Sequence, residues 1–206
     1  MTTSGGNLPE SYLTVARNGE GKFTEKMSRF ISFAFPASTT EEARELVKKI
    51  ANDYHDARHV CWAFTIGADR SQWLANDNGE PSGTAGKPIL GQINSAGLTN
   101  VVVIVVRYFG GIKLGTPGLI AAYREAARLA IADAGKKEVT VTKPLSFSYP
   151  YVVMNQVRKI VKETGVKITG QQMDNRCFMT LDVPVNILKE VNSRIENIPG
   201  LTIINQ

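Results

Sequence analysis

The stretch VVVIVVRYFGGIKLGTPGLIAAYREAARLAIADAG, residues 101–135, decides how this chain folds. Residues 101–106 are apolar without a break, and a run that is apolar on both faces belongs in the middle of a sheet covered on both sides. We read a strand over residues 100–108. FGGIKLGTPG, residues 109–118, follows as a glycine-rich loop, and residues 119–134 form an alanine-rich helix that Gly135 stops. Strand, glycine loop and helix in that order turn backbone N–H groups and the positive end of a helix toward one place, which suits an anion.

Upstream, residues 59–67 carry Val60, Trp62, Phe64 and Ile66 in alternation, the pattern of a half-buried strand. Residues 68–88, ADRSQWLANDNGEPSGTAGKP, read as one long polar loop, and loops beyond ~12–15 residues are usually functional or disordered. A short helix over residues 89–96 follows. Further back, Thr39-Thr40-Glu41-Glu42 is a capping box with Thr39 as N-cap, and Ala43, Leu46, Val47 and Ile50 continue a helix to near Tyr54. Residues 12–17 and 30–35 read as strands, with Asn18-Gly19 and Glu20-Gly21 as turns between them. Residues 1–9 are small, polar and expected to be flexible.

Downstream, Lys143-Pro144 is the best domain boundary. Beyond it the pattern reads strand (145–149), helix (152–164), strand (167–172), strand (176–183), helix (185–197) and strand (201–204). That βαββαβ order is the ferredoxin-like plan, a helix layer on an antiparallel sheet. The expected fold class is therefore α+β, with an N-terminal domain over residues 10–142 and a ferredoxin-like domain over residues 143–206.

The chain has 206 residues, a length that fits one large domain or two small ones. Apolar residues at 43% and charged residues at 21% exclude disordered, collagenous and disulfide-scaffold classes. Lys and Arg outnumber Asp and Glu by 24 to 19, a charge of +5 that permits a nucleic-acid partner. The split is 16 to 14 in residues 1–142 and 8 to 5 in residues 143–206, so the small C-terminal part is the more basic per residue. Cys61 and Cys177 stand apart with no partner motif, as free thiols do in a reducing compartment. MTTSGGNLPESY has no basic segment leading into an apolar core, and the longest apolar run is far short of the ~20 residues that span a bilayer. A cytoplasmic protein with no membrane partner is expected.

Chemistry concentrates in two loops. GEPSGTAGKP, residues 79–88, offers Gly79, Gly83 and Gly86, the hydroxyls of Ser82 and Thr84, and Lys87 ahead of a helix. Consecutive amides at such a turn make an anion site. It is not a Walker A loop, because Pro81 stands where the first glycine should be. The same residues also read as a turn network that only shapes the surface. The second loop adds Arg107 and Lys113 to Gly110, Gly111 and Gly115, and Tyr108 and Phe109 offer faces on which bases stack. Neighbours on a strand point to opposite faces, so one of Tyr108 and Phe109 should point inward. Its glycine spacing is incomplete for a dinucleotide-binding fingerprint.

His55 and His59 are four apart, but no third Cys or His lies near, and no metal site is expected. Cys61 and His59 with Asp77 or Glu80 could compose a nucleophile and base, although a lone cysteine on an apolar strand is more often core. Asp77 and Glu80 could hold Mg²⁺ against a phosphate at Lys87, or Asp77-Asn78-Gly79 is simply turn chemistry. His59, Asp77 and Glu80 are thus the catalytic candidates, none established, and no cofactor is expected.

Three strings carry a resemblance. DARHVCWAF (residues 56–64), NDNGEPSGTAGKPIL (76–90) and VVRYFGGIKLGTPGL (105–119) resemble, in order and spacing, the blocks of the IMPACT family in its bacterial YigZ branch, over roughly residues 15–130. The RYFGG-x-x-LG block is highly specific to it. The C-terminal segment is similar to the small second domain of that branch, which resembles the last domain of elongation factor G. Two departures stand out. Asn78 replaces an aspartate of the family's usual Ser-Asp-Asp-Gly-Glu-Pro, which weakens a two-carboxylate metal mechanism, and Pro117 stands where glycine or serine is usual. Pro117 suits a first helical turn.

The resemblance implies a left-handed-crossover βαβ domain of the ribosomal-protein and elongation-factor domain-four type. It also implies a role in translational control, as in eukaryotic relatives that act through a partner protein, and it supplies no catalytic residues. The expected function is a non-enzymatic, translation-associated regulatory protein that binds RNA or a ribosome-associated surface. Its site would comprise Gly79, Ser82, Gly83, Thr84, Gly86, Lys87, Arg107, Tyr108, Gly110, Gly111, Lys113 and Gly115. The alternatives are an enzyme on a small phosphorylated or acidic substrate and a protein-interaction module.

Overall fold

The computed structural model describes residues 8–204. They form two compact units, residues 11–139, and residues 140–204 together with residues 8–10. Of the start expected to be flexible, residues 1–7 lie outside the described residues.

The first unit is built on β6 (Val101–Tyr108), the middle strand of a five-stranded sheet. Around it lie β2 (Gly19–Glu25), β3 (Ser28–Pro36), β4 (His59–Ile66) and β5 (Gln72–Asn76), in the order β2-β3-β6-β4-β5. Every neighbouring pair is antiparallel, so β3 and β4 run parallel with β6 between them. Helix α1 (Thr40–Asp53) covers one face of the sheet, while α2 (Gly86–Ser95) and α3 (Gly115–Ala134) cover the other. Val101, Val103 and Val105 pack toward α2 and α3, and Val102, Ile104 and Val106 pack into the core on the α1 face. Two-sided cover is why the run has no polar break. A short two-stranded sheet of β1 (Ser11–Val15) and β7 (Lys136–Thr140) completes the unit.

The capping box forms. Thr39 Oγ accepts from the Glu42 N–H at 3.1 Å, and the Glu42 carboxylate accepts from the Ser38 N–H at 2.7 Å. Other expectations need correction. Strand β4 is buried on both faces rather than half-buried, because α2 packs over Cys61 and Ala63. The long loop of residues 68–88 contains β5, paired with β4 from Trp62 opposite Asn76 to Ile66 opposite Gln72. The turns expected at Gly19 and Gly21 are strand β2 instead, and the hairpin turns at Lys26 and Met27, both in the left-handed region. The two glycines answer to packing. A Cβ on Gly19 would lie 2.3 Å from the Ala130 carbonyl oxygen and one on Gly21 2.8 Å from Leu129 Cβ, so α3 crosses directly over β2.

The second unit runs β8 (Thr142–Tyr149), α4 (Met154–Thr164), β9 (Lys167–Met173), β10 (Cys177–Pro184), α5 (Leu188–Glu196) and β11 (Thr202–Ile203). The sheet order is β11-β8-β10-β9, antiparallel throughout. Val157, Ile160, Val191 and Ile195 of the helices pack on Phe147, Tyr149, Met179 and Leu181 of the sheet. Lys143-Pro144 lies inside β8, opposite Val183 and Asp182. Proline is tolerated there because β11 pairs only with Phe147 and Ser148 and leaves that stretch as an edge. Among the described residues no helix is long and apolar enough to cross a membrane.

The close crossing of α3 over β2 has a testable cost. Gly19→Ala should destabilise the protein by about 1–3 kcal/mol through overpacking, seen as a lower urea midpoint at unchanged slope. Wild-type stability in that variant would contradict the crossing.

Candidate functional site

The first glycine loop is organised by an anion of its own. One oxygen of the Asp77 carboxylate accepts from the Gly83 N–H at 2.8 Å, and the other accepts from Ala85 at 3.0 Å and Gly86 at 2.8 Å. Burial pushes the Asp77 carboxyl up, but the amides of Gly83, Gly86 and Ala85 and the charge of Lys87 outweigh it and hold the group below its ordinary range. The amides that sequence reasoning assigned to a phosphate are thus taken up within the chain. Thr84 is buried and donates to the Pro81 carbonyl at 2.6 Å. Ser82 is exposed, and Gly83 and Lys87 border a separate shallow pocket beside Arg124. Gly86 approaches Asn76 so closely that a Cβ would lie 2.7 Å from its backbone nitrogen. Asn78, the departure from the family pattern, accepts from the Val60 N–H at 2.9 Å and has a left-handed backbone.

Cys61 cannot act as the nucleophile once considered. It is fully buried, its thiol donates to the Asp77 carbonyl at 2.9 Å, and burial pushes its pKa up to about 12. Its hydrogen-bond neighbour is Tyr123 Oη at 3.3 Å.

The two loops are joined by a buried ion pair. Arg107 Nη1 donates to Glu80 Oε1 at 2.7 Å, and side-chain exposures are only 7% and 4%. Tyr123 Oη donates to the same oxygen at 2.7 Å, while Arg107 Nη2 reaches Ser28 Oγ at 3.4 Å. The Arg107 Nε is buried without a hydrogen-bond partner among the described residues. The guanidinium carbon lies 5.6 Å from the ring centroids of both Phe30 and Phe109. Neither Glu80 nor Arg107 is therefore a free acid, base or phosphate ligand. With Asp77 engaged by amides and Glu80 by Arg107, the Mg²⁺ pair considered from sequence does not assemble. Tyr123 escaped sequence reasoning, although it is the one hydroxyl in the buried stripe of an alanine-rich helix. Burial first, then Cys61 and Glu80, pushes its phenol well above the ordinary range.

Above this pair opens a cleft of about 380 Å³. Arg58, His59, Glu80 and Pro81 line one side, and Arg107, Phe109, Lys113, Leu114, Gly115, Thr116 and Leu119 the other. Arg58 and Lys113 are exposed and have no acidic partner within 4.0 Å among the described residues. His59 Nδ1 lies 2.9 Å from the Asn78 carbonyl, which only accepts, so Nδ1 carries the proton and Nε2 is the free nitrogen. Tyr108 and Phe109 divide as expected. Tyr108 packs against the core on the α1 side, donates to Asp56 at 2.6 Å and lies under Arg29, whereas Phe109 borders the cleft.

Glycine places the second loop. A Cβ on Gly110 would lie 2.1 Å from the Met27 carbonyl carbon, and the Gly110 N–H donates to Ser28 Oγ at 3.3 Å. Gly111 and Gly115 are both in the left-handed region. Of the expected ligand set, Arg107, Lys113 and Gly115 meet in the cleft beside the catalytic candidates His59 and Glu80, whereas Gly79, Ser82, Gly83, Thr84, Gly86, Lys87, Tyr108, Gly110 and Gly111 do not line it. Arg58 and Thr116 are additions: both lie within the quoted strings, but neither was among the expected site residues.

Residues 26–131, which contain both loops and the cleft, match the family model of the Impact N-terminal domain. The chain belongs to the IMPACT family. It is 37% identical over 154 residues to the IMPACT family member YvyE of Bacillus subtilis, covering 75% of this chain and 71% of that one. Identity to the IMPACT family member YigZ of Escherichia coli is 31% over 172 residues, covering 82% and 84%. A crystal structure of a hypothetical protein, 28% identical, superimposes with a TM-score of 0.75 over 97% of this chain and 98% of its own. The IMPACT fold here is a mixed α/β one with antiparallel sheets.

Removing one partner of a buried ion pair leaves the other charge uncompensated. Glu80→Ala should destabilise the protein by about 3–5 kcal/mol, while Glu80→Leu combined with Arg107→Met costs much less. Urea denaturation of the two variants checks this, and equal stability loss would contradict the account of the pair.

Proposed function

We propose that this IMPACT family member is a non-enzymatic, translation-associated regulatory protein that binds RNA by its phosphates at the cleft between the two loops. One observation carries the reading. The cleft's only carboxylate, Glu80, is already neutralised by Arg107, whereas Arg58 and Lys113 face it without acidic partners among the described residues. The cleft is therefore net positive, and an anion entering it meets no competing charge. The basic excess of residues 143–206, 8 against 5, supports an extended contact along a nucleic acid. The link to translation rests on family resemblance.

We read the N-terminal unit as the left-handed-crossover βαβ type, in keeping with parallel β3 and β4 flanking β6. We read the C-terminal unit as ferredoxin-like, in keeping with its sheet order. A cytoplasmic location agrees with two free cysteines. Weighing against the enzyme reading is the engagement of the acidic groups. Asp77 is held by three amides, Glu80 by Arg107 and Tyr123, and Cys61 is a protonated core thiol.

The test is the salt dependence of binding to a short single-stranded oligouridylate, read by fluorescence anisotropy. Each phosphate contact contributes a slope of about −0.7 in log affinity against log salt. Arg58→Ala with Lys113→Ala should flatten the wild-type slope by about 1.4 and weaken binding at low salt. A slope identical to wild type would sink the assignment to this cleft.

A further inference from the structure

We propose that Phe109 is a stacking platform for one unpaired base, which makes the site selective for single-stranded over duplex RNA. The inference rests on the phosphate reading of the cleft and adds what the ring does beside it.

Phe109 is 51% exposed, immediately after the central strand, and borders the cleft, whereas the sheet's other exposed aromatic, Trp73 on β5, does not line it. Two contacts restrain it. The next residue, Gly110, lies so close to the backbone of Met27 that no side chain fits between them. The Arg107 guanidinium, with its carbon 5.6 Å from the Phe109 centroid, supports the ring from below. That guanidinium is fixed in turn by Glu80, and Phe30 lies on its other contact at 5.6 Å. Phe30, Arg107 and Phe109 thus form a column that starts in the core and ends at the cleft.

A ring held in this way loses little conformational freedom when a flat ligand covers it, which favours binding. Stacking on a nucleobase requires a base free of its duplex, since only an unstacked base presents its face. Lys113, four residues along the same loop, supplies a cation for the adjoining phosphate, and Arg58 supplies another across the cleft. An aromatic face beside two cations is the combination that single-stranded nucleic acid recognises. The cleft of about 380 Å³ is within the size range of small-ligand sites. Met27 and Ile112 are also exposed near the ring's end of the sheet, so a protein surface is the competing occupant.

The experiment measures affinity for a short oligouridylate, alone and annealed to oligoadenylate, for wild type, Phe109→Ala, Phe109→Leu and Phe109→Trp. Phe109→Ala should lose about tenfold in single-strand affinity, with duplex affinity and salt slope unchanged because no charge is altered. Phe109→Leu should fail to restore it, and Phe109→Trp should restore it with quenching of the new indole on binding. Phe109→Ala binding like wild type, while salt-dependent binding persists, overturns the stacking role and leaves the phosphate reading standing. Full rescue by Phe109→Leu overturns it in favour of an apolar protein contact. No salt-dependent binding by wild type overturns the phosphate reading and this inference together.

Discussion

The buried pair of Arg107 and Glu80 is the interaction on which the candidate site depends. Arg107 is the penultimate residue of the central strand, and Glu80 belongs to the first glycine loop, 27 residues earlier in sequence. Their bond at 2.7 Å ties the first loop to the start of the second, and Tyr123 adds α3 to the same oxygen. Burying two charges is costly unless geometry and hydrogen bonding are good. Here one carboxylate oxygen receives two donors, and Phe30 and Phe109 flank the guanidinium. The pair is a tie between segments more than a source of net stability, and the cleft exists because of it.

A second internal anion completes the arrangement. Asp77 occupies the amides of Gly83, Ala85 and Gly86 as a bound phosphate would, and so closes the loop most suggestive of a phosphate site. The effect is to move the open positive charge elsewhere. Both acidic side chains of the loop, Asp77 and Glu80, act structurally, and the cations left facing solvent at the cleft are Arg58 and Lys113. The open positive charge of this unit is therefore a matter of which charges are already matched. Its small formal excess of positive charge is a poor guide to it.

Periodicity made much of the fold legible. Residues 101–106 could only be a strand covered on both faces, and Thr39 with Glu42 announced a helix start that forms as read. The order of elements after residue 140 was readable because each has clear helical or alternating patterning. Glycine was the main source of error. At Gly19 and Gly21 it accommodates a helix passing overhead, which no local pattern distinguishes from a turn. In the candidate site, residue types pointed to the right two loops but not to the pairing within them. Arg107 looked like a phosphate ligand and Asp77 like an acid, because sequence displays a charge and not its partner. Distance along the chain concealed the ion pair, and Tyr123 had no motif to mark it.

In the proposed binding mode the second loop and Arg58 receive the anion while the first loop is closed by Asp77. Backbone amide chemical-shift mapping during titration with a short oligouridylate tests this most directly. Shifts should concentrate at residues 58–59 and 109–116 and leave Gly83, Ala85 and Gly86 in place. Shifts centred on Gly83, Ala85 and Gly86, with residues 109–116 unmoved, would contradict it.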